Sequence, residues 1–301
     1  MTRTIWLASY PKSGNTWFRL LIANLASLDG KPININNIPG AGMASARHRF
    51  DEVVLIDSGL LTHDEIDNLR PRAHAAIARY EMDALLTPSA AANPVHFMKV
   101  HDAYVLNAAG EPLLGGSQGA HGAIVIVRDP RDIVASLANH FDCTIEEAIA
   151  TMNDDNAMAC RKTDRQTSHL RERRSSWDAN VASWLDQIDI PVHLVRYEDL
   201  LKDGAATLRG ALSFAGLLVN DEKIKQAVRF SDFLQLQHLE RTSGFAEGSR
   251  KGTRFFRRGE VGSWRDELTP EQVARIELRH GKMMQRLGYE LSYLSNLARA
   301  G

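Results

Sequence analysis

Four short apolar runs recur along this chain with helical patterns between them, and that alternation constrains the fold more than any other feature. Thr4 to Tyr10, Val95 to Val100, Ala123 to Val127 and Val192 to Arg196 each have the length of a strand and are rich in aliphatic side chains. After the first run, Trp17, Leu20, Leu21, Leu25 and Leu28 return at helical spacing. Asp132 to His140, Trp177 to Ile188, Ala205 to Ala215, Asp221 to Phe230 and Pro270 to Leu287 also read as helices, the last with Val273, Ile276, Met283, Met284 and Leu287 as its apolar stripe. Parallel strands need crossover connections, so this order predicts an α/β fold with a mainly parallel central sheet flanked by helices.

No internal repeat and no Pro- or Ser-rich linker divides the 301 residues, so residues 1–301 are expected to form a single domain. Residues 29 to 94 and 241 to 259 mix Pro, Gly, Asn, Ser and Arg without a strong period and are expected to be irregular segments flanking a site. Lys plus Arg number 36 against 37 Asp plus Glu, so no global field favours nucleic acid or an anionic membrane, and any anion site must be local. Two cysteines, Cys143 and Cys160, are too few for a disulfide framework and suit a reducing cytoplasm. Ile5 to Ala8 meets Pro11-Lys12 too soon for a signal-peptide core, and no apolar stretch is long enough to span a bilayer; a cytoplasmic, membrane-free protein is expected.

Three segments point to anion binding. Tyr10-Pro11-Lys12-Ser13-Gly14-Asn15-Thr16-Trp17 places a lysine and a small turn between a strand and a helix N-terminus. Free first-turn amides, the positive end of the helix dipole and the Lys12 charge there suit phosphate oxygens. The same segment also reads as a Pro-Lys turn with Ser13 or Asn15 as helix cap. Its lysine precedes Gly14, unlike the nucleotide-kinase loop, whose lysine follows the second glycine, which argues against Mg²⁺ handling. The second segment, Arg128-Asp129-Pro130-Arg131-Asp132 followed by Ser136, starts at a strand's carboxyl end, where α/β sheets bind ligands. Its plainer reading pairs Arg128 with Asp129 or Asp132. The third, Arg257-Arg258-Gly259-Glu260-Val261-Gly262-Ser263-Trp264, closes a stretch that also holds Arg250, Lys251 and Arg254. Guanidinium forks and glycine-permitted backbone amides suit a phosphate monoester, although a solvated basic loop has the same composition.

In content and order these segments resemble the PAPS-dependent cytosolic sulfotransferase family, over most of residues 4 to 290. The first resembles that family's loop for the 5′-phosphosulfate of 3′-phosphoadenosine 5′-phosphosulfate (PAPS), the second its 3′-phosphate element, and the third its R-x-G-x-x-G-x-W segment. Phe97-Met98-Lys99-Val100-His101 is similar to the strand that carries the family's catalytic lysine and histidine, and Arg196-Tyr197-Glu198-Asp199-Leu200 to the segment beside the nucleotide. The resemblance implies a P-loop nucleotide-kinase-like fold and transfer of a sulfuryl group from PAPS to a hydroxyl, or as second choice an amine, of a small-molecule acceptor. Lys12, Ser13, Gly14, Asn15, Thr16 and Trp17 would hold the 5′ end of the donor. Arg128, Ser136, Arg257, Arg258 and Gly259 would hold the 3′-phosphate, with Tyr197 beside the adenine. His101 would be the general base, and Lys12 and Lys99 would stabilise charge on the transferring group.

No metal is expected, since none of the eleven histidines falls in a zinc pattern. Three features depart from the family. Asn15 replaces a frequent hydroxyl residue, which implies a weaker or replaced phosphate contact. Asp102 follows His101, where it would raise the histidine's pKa or hold a cationic acceptor. The C-terminal pairing motif keeps Arg265 and Thr269 but has Pro270 and Ala274 in place of a valine and an acid, which leaves the oligomeric state open. Two other functions share the cradle: a P-loop ATP/Mg-dependent phosphotransferase, and a protein that binds PAPS or its product without turnover.

Overall fold

The computed structural model describes residues 3–27, 30–38, 42–80, 95–248 and 254–292. Leu28, Arg250 and Lys251, singled out above, lie outside the described residues. The strands are β1 (Arg3–Ser9), β2 (Val95–Val100), β3 (Gly122–Val127), β4 (Met158–Ala159), β5 (Glu172–Arg173) and β6 (Val192–Arg196). Four of them form one sheet in the order β2-β1-β3-β6, every pair parallel, and β4 with β5 forms a small antiparallel ribbon. The parallel sheet and all four of its strands agree with the sequence reading.

Successive side chains of a strand point to opposite faces, and here both faces are covered. Trp6, Ala8, Met98, Val100 and Val125 pack on one side with the helices Pro130–Phe141, Trp177–Asp186 and Pro270–Arg286. Ile5, Leu7, Phe97, Ile124 and Ile126 pack on the other with Asn15–Leu25, Gly204–Phe214 and Asp221–Phe230. Burial on both sides explains why these strands read as unbroken apolar runs. Helix starts follow local chemistry: the Asp129 carboxylate accepts from Arg131 N at 2.9 Å ahead of Pro130, and Thr269 with Gln272 closes a capping box around Pro270.

The structure departs from the sequence reading within residues 29 to 94, where Arg47–Val54 and His63–Tyr80 are helices rather than irregular chain. The second carries Pro71 in its interior and buries Asp67, Arg70 and His74 beside Ile66, Ala73 and Ile77, so polar side chains interrupt its apolar stripe. Ile145–Asn153 is a further helix, started by a Thr144–Glu147 capping box.

Candidate functional site

All four parallel strands end at one edge of the sheet, and each hands over a residue that the sequence singled out. The loop with Lys12, Ser13 and Gly14 follows β1, Lys99 and His101 stand at the end of β2, Arg128 follows β3, and Tyr197 follows β6. With Ser136 and the segment around Arg257 they surround a cleft of about 520 Å³, large enough for a nucleotide. Lys12, Gly14, Asn15, Thr16, Trp17, Lys99, His101, Arg128, Ser136, Tyr197, Arg257, Arg258 and Gly259 all line it. Ser13 is fully buried behind the lining, and its hydroxyl has no hydrogen-bond partner.

The β1 loop has the geometry of an anion cradle. Lys12 and Gly14 have φ of 69° and 100°, with Ser13 between them on the ordinary negative side. Such alternation gathers backbone N–H groups in a tight loop, in which the Ser13 N–H turns back to the Tyr10 carbonyl at 3.3 Å. Gly14 is the N-cap of Asn15–Leu25 and supplies no side chain to the first-turn amides, which remain open to a ligand. The helix-cap reading of Ser13 and Asn15 therefore fails: the Asn15 amide instead donates to Leu7 O at 2.8 Å and Ser9 Oγ at 3.1 Å, fastening the helix start to β1. A Cβ at Gly14 would lie 2.6 Å from the Tyr197 ring, so glycine is required by space as well as by φ.

Positive charge is concentrated in the cleft, and Lys12 and Arg128 have no ion-pair partner among the described residues. Burial, with Lys99 and Arg128 nearby, pulls the Lys12 ammonium down to about 7. Its Nζ lies 3.7 Å from the centre of the Phe255 ring. Burial likewise lowers Lys99, against the opposing pull of Glu247. Arg128 donates from Nη2 to the Glu260 carbonyl at 2.9 Å and stacks over Tyr197, so the expected plainer pairing with Asp129 or Asp132 is not made. Those acids serve elsewhere: Asp129 pairs with Arg131, and Asp132 accepts from the Gly262 and Trp264 amides at 2.7 and 3.0 Å, docking the third segment. Arg257 and Arg258 reach the cleft, but both also meet Glu267, at 2.8 and 3.2 Å.

The tautomer of His101 is set by one contact. Its Nδ1 lies 2.8 Å from the Ser9 carbonyl, which can only accept, so Nδ1 carries the proton and Nε2 keeps its lone pair. Burial and the neighbouring Lys99 charge hold the ring near a pKa of about 3, neutral at physiological pH. The expectation for Asp102 is overturned. Its carboxylate points away from the cleft and is gripped by Arg70 at 3.1 and 2.8 Å, with a further bond from the Arg173 amide. Buried and neutralised there, it neither raises the histidine's pKa nor faces an acceptor.

The cleft also contains residues that the sequence reading did not select: Arg19, Met43, Glu172, Arg174 and Glu247. Glu172 accepts from Ser45 at 2.8 Å and from Arg174 at 2.6 Å. Arg19 and Thr16 both donate to Glu247. Only Arg19 had a usable signal, since it stands three residues after Thr16 on one face of a helix beginning at the cradle. Among the described residues, no helix is long and apolar enough to cross a membrane.

The sulfotransferase domain family model matches residues 122–288, more than half of the chain. Cytosolic sulfotransferase 5 of Arabidopsis thaliana is 22% identical over 297 residues, covering 94% of this chain and 80% of that protein. Cytosolic sulfotransferase 14 of the same plant is 25% identical over 285 residues, covering 90% and 72%. A mouse sulfotransferase complexed with PAP superposes with a TM-score of 0.56 at 18% identity over 94% of this chain and 85% of its own. Retinol dehydratase, in a complex with retinol and PAP, gives 0.56 at 17% identity over 94% and 82%.

Proposed function

This chain belongs to the sulfotransferase family, and from that premise we propose that it moves a sulfuryl group from PAPS to a hydroxyl, or as second choice an amine, of a small molecule, with His101 as general base. One observation carries the reading: a neutral imidazole, its tautomer set by a backbone carbonyl, lines the same cleft as Lys12, Lys99 and the open amides of the β1 loop. An anion cradle beside a proton acceptor is what sulfuryl transfer to a hydroxyl needs. The fit to the donor is supported by the unpartnered Ser13 hydroxyl, the backbone cradle and two cations, Lys12 and Arg128, that rest on aromatic rings.

The donor supplies the sulfuryl group and a 3′-phosphorylated nucleotide as leaving group. Lys12, Ser13, the first-turn amides, Thr16 and Trp17 hold its 5′ end; Arg128, Ser136, Arg257, Arg258 and Gly259 hold the 3′-phosphate; Tyr197 lies beside the adenine. His101 Nε2 takes the acceptor's proton as the acceptor oxygen bonds to sulfur. Lys12 and Lys99 stabilise the electron pair that leaves with the bridging oxygen when the sulfur–oxygen bond to the 5′-phosphate breaks. The cytoplasm is the proposed compartment.

Thermal shift with 3′-phosphoadenosine 5′-phosphate (PAP) and, separately, with ATP plus Mg²⁺ tests this, with an EDTA control. A ligand that binds only the folded state raises the melting temperature. Stabilisation by PAP that EDTA leaves unchanged is expected. Stabilisation by Mg-ATP alone would replace the reading with a phosphotransferase, and donor binding without turnover on any acceptor would leave a nucleotide-binding protein.

A further inference from the structure

Glu247 places a carboxylate among three donors of the cleft. Its Oε1 accepts from Arg19 Nη1 at 2.8 Å; its Oε2 accepts from Thr16 Oγ1 at 3.1 Å and lies 3.6 Å from Lys99 Nζ. Arg19 is 7% exposed in its side chain, and its Nε is buried without a hydrogen-bond partner. A guanidinium so enclosed needs an anion beside it. Burial works against charge on Glu247, yet Lys99 and Arg19 outweigh it and hold the carboxyl down at about 2.

Lys99 precedes His101 by two residues, and Thr16 opens the helix above the cradle. The carboxylate therefore bridges the helix that opens at the cradle and the strand that leads to the base, inside the cleft that both line. Two oxygens sharing one negative charge imitate two of the three oxygens of a sulfuryl group. We propose that Arg19, with Thr16 and Lys99, forms the subsite for the donor's sulfuryl group, and that Glu247 fills this subsite in the free enzyme as a resident competitor. The inference rests on the PAPS reading above and adds Arg19 and Glu247 to it. Donor binding is then an exchange of one anion for another, and between turnovers the carboxylate keeps free sulfate and phosphate out of a strongly cationic pocket.

The test is isothermal titration of the wild type, Glu247→Gln, Arg19→Gln and the double variant with PAPS and with PAP, which lacks the sulfuryl group. Glu247→Gln should bind PAPS about tenfold more tightly, the scale of one charge-assisted contact, and PAP within about twofold of wild type. Arg19→Gln should weaken PAPS selectively, and the gain from Glu247→Gln should vanish in its background. Unchanged or weaker PAPS binding by Glu247→Gln overturns the competitor role. An equal gain for both nucleotides overturns the sulfuryl assignment, and unaltered PAPS binding by Arg19→Gln removes Arg19 from the subsite. If neither nucleotide binds any of the four proteins, the PAPS reading itself fails and this inference with it.

Discussion

Two groups of buried charge lie on either side of His101, and they differ in whether every cation has a carboxylate partner. Behind it, each arginine has a carboxylate: Arg70 holds Asp102 at 2.8 Å, and Arg171 and Arg173 share Asp67 at 2.5 and 3.0 Å. In front of it, Arg19, Lys99, Arg174, Arg257 and Arg258 also meet carboxylates, but Lys12 and Arg128, among the described residues, rest on the rings of Phe255 and Tyr197 with no carboxylate at ion-pair distance. A matched cation fixes the chain, since removing either partner strands a buried charge. An unmatched one is free to meet an incoming anion. Charge count alone does not separate the two groups; their partners do.

The comparison breaks most sharply at His101, the residue between them. His101→Ala should lose turnover by about 10²- to 10⁴-fold or more, the usual contribution of a general base, while PAP affinity stays within about twofold. Steady-state rates with a responsive acceptor, set beside calorimetry, check both halves. Behind the histidine, Asp102→Asn should cost about 3 kcal/mol of folding stability, because the fully buried Arg70 loses its bidentate partner and keeps only Asp67, 3.7 Å away. Chemical denaturation measures that loss, and PAP affinity in the folded fraction should hold. In front, Arg128→Ala should show the inverse pattern, losing about 1.5 to 3 kcal/mol of donor affinity with little change in stability. Unaltered affinity would move Arg128 into the structural group.

The smallest effect concerns the Lys12 proton. Its pKa of about 7 in the free protein lies below the ordinary lysine value, so its fold-coupled contribution to stability is present at high pH and fades as pH falls through about 7. A bound phosphate reverses the shift, because an adjacent anion favours the charged ammonium. Donor binding should then take up a fraction of a proton near pH 7 to 8 and weaken as pH rises. Calorimetry in buffers of different ionisation enthalpy reads this directly, and Lys12→Met should abolish the uptake while raising the melting temperature of the free protein near pH 7.

The sequence showed the strands clearly, and the β1 loop as either a cradle or a helix cap, because each is local. β1, β2, β3 and β6 are buried on both faces and so advertise themselves as apolar runs, and the β1 loop carries its lysine, its glycine and its helix start within a few residues. The His63–Tyr80 helix was hidden for the opposite reason: its inner face presents Arg70 and Asp67 to partners on distant segments, which is invisible until the chain is folded. Glu172, Arg174 and Glu247 escaped similarly, each contributed to the cleft by a stretch without periodicity. Asp102 was legible as a neighbour of His101 in sequence and misleading in space, since a residue just past a strand can send its side chain away from the preceding one.

The strand order has a kinetic consequence. β1 lies between β2 and β3, with Arg3 opposite Val95 and Ile5 opposite Gly122, so it leaves the ribosome before either partner and waits for segments encoded far downstream. Both its edges stay open during that wait, and every pairing it finally makes closes a long loop, which slows folding and exposes the nascent chain to misassociation. The segment bearing Lys12 thus emerges before the strands that flank it and reaches its final place late, when the central seam of the sheet closes.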